Sequence, residues 1–309
     1  MGAAAAPLSA LVAEELALPV DPRVAAFAAA IAARHPGACA VLFYGSCLRE
    51  ASLEGLMLDF YLIVHDYRAA FGKAWLAAAN RLLPPNVFPA EHDGLIAKYA
   101  VLSEIDFARL MRPEAGSVSV WARFAQPSRL VWSASTRAAE AVAETVARAA
   151  PTLFQLTMPM MPADTNFTML DVWRRGFDLT YGAELRAERS TRPASVVDAD
   201  PLRYERFGIA AVAEIARVVG VGPNGEVANY ASPAALARRW RHLRRRGKVL
   251  TLARLAKASA TYAGGIDYLA WKIGRHAGER IAVRPWQRRW PLLGALMLLP
   301  RLIARGLVR

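Results

Sequence analysis

The chain has 309 residues, 55% hydrophobic and 21% charged, a balance that excludes a disordered polyelectrolyte and suits one large or two modest domains. Its 39 Lys and Arg against 26 Asp and Glu leave a formal net charge of +13, which favours anionic partners such as nucleotides, nucleic acid or acidic lipid and is silent on fold. The two cysteines, Cys39 and Cys47, lack metal-ligand spacing and imply no disulfide framework, as expected in an intracellular, reducing compartment.

The opening stretch MGAAAAPLSALVAEELALPV is apolar but has no basic start and is interrupted by Glu14 and Glu15. It is therefore expected to be neither a secretory signal nor a membrane span. Met-Gly at the start lacks the rest of a myristoylation motif, which fails at Ala6. No run reaches about 18 uninterrupted apolar residues, so no transmembrane helix is predicted.

Asp21-Pro22 predicts a capped helix start, Pro36-Gly37 its end, and Ala38 to Tyr44 a strand. The segment VLFYGSCLREASLEGLMLDFYLIVHD, Val41 to Asp66, then reads as strand, Gly-Ser turn, polar excursion and second strand. Gly45 lets backbone approach a ligand closely, and successive N–H groups at Gly45-Ser46 can form an anion nest. Twelve residues on, Asp59 is a carboxylate inside an apolar run, costly there without a cation or hydrogen bonds. The plainer alternative is a loop glycine and an Asp turned outward at a strand edge.

Tyr67, Phe71 and Trp75 recur every four residues and predict one helix over Tyr67 to Leu83 with a buried aromatic face, stopped by Pro84-Pro85. Leu95 to Ser103 is an apolar strand with Lys98 near its middle; that lysine either snorkels to solvent or aims at a phosphate. Ser117 to Trp132 mixes aromatics with Arg123 and Arg129 and is broken by Pro127. Thr136 to Ala150 predicts a helix closed by Pro151, and a domain boundary is placed there. Pro151, Pro159 and Pro162 predict helical or irregular pieces, with Met158, Met160 and Met161 as core filler.

From Arg238 to Lys257 the chain carries seven arginines and two lysines with no acid. Such a run is either a solvated helix face or a site for an anionic partner. At the C-terminal end, Trp286 and Trp290 flank Arg288 and Arg289 beside a short apolar run, the composition of an interfacial membrane anchor. The alternative is a terminal helix docked on the protein's own core.

A Gly-Ser turn followed by a strand carboxylate is the layout of nucleotidyltransferases, and the ordered pieces resemble one family more closely. FYGSCLRE and LMLDFYLIV, LIAKYAVLS, WARFAQPSRLVW, LTYGAELR and PLRYERF are similar to successive motifs of the mitochondrial-type phosphatidate cytidylyltransferases, the mitochondrial translocator assembly and maintenance protein family and its bacterial relatives. The resemblance runs from about residue 38 to 207, with weaker support through Arg275. Cys47 stands where the family has glycine, Glu184 where it has Asp, and Arg123-Phe124 where Gly-Arg is expected, so either Arg123 or Arg129 supplies that cation. Tyr61, two residues after Asp59, is not a second carboxylate, and Glu184, Glu54 and Asp66 are the candidates for the remaining metal shell.

The resemblance implies Mg²⁺-dependent condensation of CTP with phosphatidic acid to CDP-diacylglycerol and pyrophosphate, peripherally at the cytoplasmic face of a bacterial inner membrane. It implies that Tyr44, Gly45, Ser46, Lys98, Arg123, Arg129 and Arg186 bind nucleotide, that Asp59 binds the metal, and that Ser46, Asp59, Lys98 and Glu184 are catalytic. Arg244, Arg245, Arg246, Lys257, Trp286 and Trp290 are the expected lipid contacts, on an anionic membrane surface. Two rivals are a nucleotidyltransferase acting on nucleic acid or a small soluble substrate, and an inactive nucleotidyltransferase-like membrane scaffold. The expected fold is α/β: a nucleotidyltransferase-like mixed-sheet domain over residues 1–150, a mostly helical domain over 151–280 completing the site, and a basic amphipathic tail over 281–309.

Overall fold

Runs of β-branched and aromatic residues between turn residues make the strands here. β1 (Ala38–Tyr44) and β2 (Met57–Val64) pair antiparallel inside a five-stranded sheet. Its order is β3-β4-β2-β1-β5, with β3 (Asn86–His92), β4 (Leu95–Ser103) and β5 (Ser128–Ser133). β4 runs parallel to β2, β3 antiparallel to β4, and β5 antiparallel to β1. The computed structural model describes residues 6–49, 53–162, 166–184, 196–219, 232–261 and 284–285.

A parallel pair needs a crossover. Between β2 and β4 it consists of α3 (Tyr67–Phe71), α4 (Ala74–Leu82) and the edge strand β3. Pro89 lies in β3, where an edge position tolerates a missing N–H. The helices besides these include α1 (Leu8–Leu16), α2 (Pro22–Ala33), α5 (Glu104–Leu110), α6 (Trp121–Phe124), α7 (Thr136–Val146), α8 (Ala149–Thr157), α9 (Met169–Ala183), α10 (Pro201–Val219) and α11 (Pro233–Thr261).

Alternation along the strands sorts side chains onto two faces. Leu58, Phe60, Leu62 and Val64 of β2 join Val41 and Phe43 of β1 under α2, which contributes Val24, Phe27 and Ile31. Tyr61 and Ile63 go to the other face with Ala40 and Leu42, and the C-terminal helices cover them. This second cluster runs from the sheet through Phe154, Trp173 and Tyr204 to Trp240, so the core is continuous across residue 150. The architecture is the mixed α/β one expected: a small mixed sheet followed by a largely helical C-terminal half.

Two local expectations change. The aromatic repeat from Tyr67 does not make one helix: α3 ends at Gly72, φ 60°, and Trp75 begins α4 on a different face, 54% exposed. Pro151 does not close a helix but sits in the first turn of α8, where its missing N–H has no intrahelical acceptor to lose.

Arg203 of α10 ties the N-terminus to the helical layer. Its guanidinium meets Glu15 of α1 at 2.5 and 2.9 Å and donates to the Ala125 carbonyl at 3.2 Å, all out of solvent. α11 docks through Leu236, Trp240 and Leu243, with Trp240 Nε1 donating to the Leu156 carbonyl at 2.8 Å. Gly247 leaves no room for a Cβ against the Ala183 carbonyl, so α11 lies directly on the end of α9. That crossing aims the last turns of α11 toward the ends of the central strands.

Candidate active site

β1 ends at Tyr44, and Gly45 turns the chain with φ 100°, a region open to glycine and rarely to other residues. A Cβ built on Gly45 would lie 3.3 Å from Asp59 Oδ2. The turn therefore sits against the carboxylate. Ser46 opens a short 3₁₀ turn, Ser46–Arg49, in which Leu48 N–H donates to the Gly45 carbonyl at 3.3 Å. Cys47 is buried with its Sγ 3.5 Å from the Met57 carbonyl, tying this turn to the start of β2.

Register brings the next two groups together. Tyr44 faces Asp59 across β1 and β2, and Asp59 faces Lys98 across β2 and β4. Lys98 Nζ lies 3.0 Å from Asp59 Oδ1, with the two side chains 32% and 21% exposed. The lysine is thus turned onto the carboxylate. Beyond that ion pair, the buried Asp59 Oδ1 has no well-formed hydrogen bond.

Arg123 of α6 enters from the helical layer. It donates to the Ser119 carbonyl and lies 3.8 Å from Glu184 Oε1 at the end of α9. Burial works against its charge, but Glu184 first and then Tyr61, Tyr44 and Asp59 carry the guanidinium above its ordinary value. Burial also holds the Tyr44 phenol well above its usual range, reinforced by the Asp59 charge. Tyr61 is raised likewise, by burial first, while Arg123 and Arg254 pull it down. Tyr44 and Tyr61 rings stand 5.2 Å apart and form the wall beneath these charges.

The last turns of α11 reach the same place. Arg254 donates from Nε to the Pro84 carbonyl and from Nη1 to Ser119 Oγ, both at 2.9 Å. Burial lowers its pKa, offset by Tyr61 and Glu184. Lys257 donates to the carbonyls of Leu83 and, at 2.8 Å, Pro85, and burial followed by the neighbouring Arg254 lowers it to about 7. Lys257, expected among the lipid contacts, is therefore directed onto the Pro84-Pro85 turn.

Tyr61, Ser119 and Arg254 were not singled out from the sequence. Arg254 carried a signal, since the apolar run Val249 to Ala253 separates it from Arg244, Arg245 and Arg246. Those three arginines are exposed on α11.

Of the two arginines proposed as alternatives, Arg123 pairs with Glu184 and lies within the field of Asp59. Arg129 on β5 donates to the Ser128 carbonyl at 2.9 Å and lies near Glu15 and Arg203 instead. Glu54 pairs with Arg23 at 3.1 Å, and Asp66 caps α3 and pairs with Arg81 at 3.1 Å. Both metal-shell candidates are thus engaged in local structure. Arg186, Trp286 and Trp290 lie outside the described residues. Among the described residues no group of three or more His, Cys, Asp or Glu side chains is placed to hold a metal, and no helix is long and apolar enough to cross a membrane.

No protein-family model matches the chain, and no curated protein matches it. Among solved structures it is similar to a nucleotidyltransferase-like protein from Exiguobacterium sibiricum 255-15. The TM-score is 0.28 and the identity 11%, over 93% of this chain and 92% of that one. The α/β assignment rests on the sheet itself.

Proposed function

We propose that this protein is a nucleotidyltransferase that condenses CTP with phosphatidic acid to CDP-diacylglycerol and pyrophosphate at a membrane surface. The observation that carries the transferase reading is the seat of the Gly45 turn against Asp59, with Lys98 on the same carboxylate and Arg123 on Glu184 close enough to feel the Asp59 charge. The choice of CTP and phosphatidate draws its support from the ordered motifs between residues 38 and 207. The exposed Arg244, Arg245 and Arg246 suit an anionic surface, where each basic residue contributes about 1 kcal/mol.

Mg²⁺ fits at Asp59. This ion takes one or two carboxylates and fills its remaining positions with phosphate oxygens and water, and Asp59, whose buried Oδ1 is met by the Lys98 ammonium at 3.0 Å, would be the carboxylate that holds it. When bound, it supplies positive charge against the phosphates. The phosphate oxygen of phosphatidate is already an anion. It attacks the α-phosphorus of CTP, the bond to the bridging oxygen breaks, and pyrophosphate leaves with that electron pair. No proton is removed, so the chain's task is positioning and charge neutralisation. Gly45 and Ser46 cradle the triphosphate, Lys98 and Arg123 neutralise it, and Glu184 orients Arg123.

Incubation with phosphatidate vesicles and each of the four nucleoside triphosphates tests the reading. Nucleotide-linked lipid is expected with CTP and is lost in Asp59→Ala. Absence of nucleotide-linked lipid with every triphosphate overturns the lipid acceptor. Co-sedimentation with anionic vesicles but not with RNA is expected, and the reverse supports a nucleic-acid substrate.

A further inference from the structure

Ser119 holds two guanidinium groups at once. Its carbonyl accepts from Arg123 and its hydroxyl accepts from Arg254 at 2.9 Å. The serine is itself buried and fixed by Ser117 Oγ at 2.8 Å. The two arginines come from helices more than a hundred residues apart in sequence, α6 and α11, so the tertiary fold and not local sequence makes the pair. The Pro84 carbonyl also anchors the second guanidinium, accepting from its Nε.

Like charges do not gather in a half-buried place without compensation. Lys98, Arg123 and Arg254 are linked there with the carboxylates Asp59 and Glu184, and Lys257 adds a fourth basic group beside Arg254. Among the described residues the cations here exceed the carboxylates. Guanidinium forks match the oxygens of phosphate groups in geometry as well as charge.

We infer that Arg254, paired with Arg123 on Ser119, forms an anion subsite for the pyrophosphate end of a nucleoside triphosphate. This rests on the nucleotidyltransferase reading and extends it: part of the basic helix belongs to the active site, where it serves as a clamp on the leaving group. Arg254 is a binding and positioning residue. The exposed arginines earlier on α11 remain for a polyanionic surface.

The test uses inorganic pyrophosphate and the full chain, with binding followed by calorimetry and folding by thermal melting. The wild type is expected to bind pyrophosphate, and Arg254→Gln to weaken it about ten- to a hundredfold, the loss of one charge-assisted hydrogen-bonded contact. Arg241→Gln, an exposed change on the same helix, is expected to stay within about twofold, as a surface charge screened by salt. Arg254→Lys keeps the charge and removes the fork, so it decides the matter if the glutamine variant unfolds; an intermediate loss is expected. No binding by the wild type, wild-type affinity in Arg254→Lys, or equal losses in Arg254→Gln and Arg241→Gln overturns the subsite. The two readings fail separately. Arg254-dependent pyrophosphate binding without any nucleotide-linked lipid sinks the phosphatidate reaction and leaves the subsite standing.

Discussion

Gly45 and Asp59 occupy one small volume at the end of the central strand pair. The glycine has φ 100°, and the Cβ it lacks would stand 3.3 Å from Asp59 Oδ2. Alanine at this position is strained twice, by the backbone and by the carboxylate it crowds. Gly45→Ala is expected to cost about 1–3 kcal/mol of stability, read by urea denaturation, and to lower nucleotide transfer by displacing Asp59. A variant as stable and as active as the wild type would show that neither the turn nor its distance to Asp59 matters.

Asp59→Asn preserves shape and removes charge. Asparagine leaves Lys98 Nζ, now 3.0 Å from a carboxylate oxygen, beside a neutral amide and takes away the anionic donor proposed for Mg²⁺. Nucleotide-linked product is expected to fall by at least about a hundredfold, the scale of losing one preorganised electrostatic contact, with the melting temperature close to wild type. Retention of more than a tenth of the activity, measured at saturating CTP and Mg²⁺, would remove Asp59 from the reaction.

Local sequence exposed the strands because each is an apolar run between turn residues, and it exposed Gly45, Asp59 and Lys98 because a charge or a glycine inside such a run stands out. Glu184 and Arg123 came from resemblance to known motifs. Arg254 was only half legible for a physical reason: the stretch Val249 to Ala253 sets it apart from Arg244, Arg245 and Arg246, but local sequence does not say which way its side chain points. Only the crossing of α11 over the end of α9, at Gly247 and Ala183, decides which of them turns inward. The aromatic repeat from Tyr67 failed in the opposite way. Its four-residue spacing was genuine, but Gly72 breaks the helix before Trp75 and rotates that ring into solvent.

Arg203 and Glu15 give a stability prediction away from the site. Their side chains are 8% and 12% exposed and meet in two hydrogen bonds, with Tyr204 and Phe207 rings 4.7 and 4.2 Å from the guanidinium carbon. Arg203→Met keeps the apolar packing but strands the Glu15 carboxylate out of water. Removing one partner of a buried pair costs about 3–5 kcal/mol. The double variant Arg203→Met, Glu15→Leu is expected to recover much of that loss in the same denaturation series, because no buried charge remains. Equal stability of the single variant and wild type would mean that the pair contributes nothing.

Lys257 gives the pH dependence. Its ammonium donates to the carbonyls of Leu83 and Pro85 and has Arg254 one turn earlier on the same helix, and burial first, then that arginine, lowers it to about 7 from an ordinary lysine value of 10.5. Between about pH 7 and 10.5 the unfolded chain holds a proton here that the folded chain has released, so folding gains stability as pH rises through that window. Below about pH 7 both states carry the charge, and the cost of burying it is felt in full. Lys257→Met removes this one titration and leaves every other group in place, apart from a constant offset for the lost hydrogen bonds. The stability of the wild type relative to Lys257→Met is therefore expected to climb between pH 7 and 10, and to stay flat between pH 5 and 6.5. Urea midpoints for the two proteins measured side by side decide it: parallel curves across the whole range would place the Lys257 titration at its ordinary value and release α11 from any dependence on it.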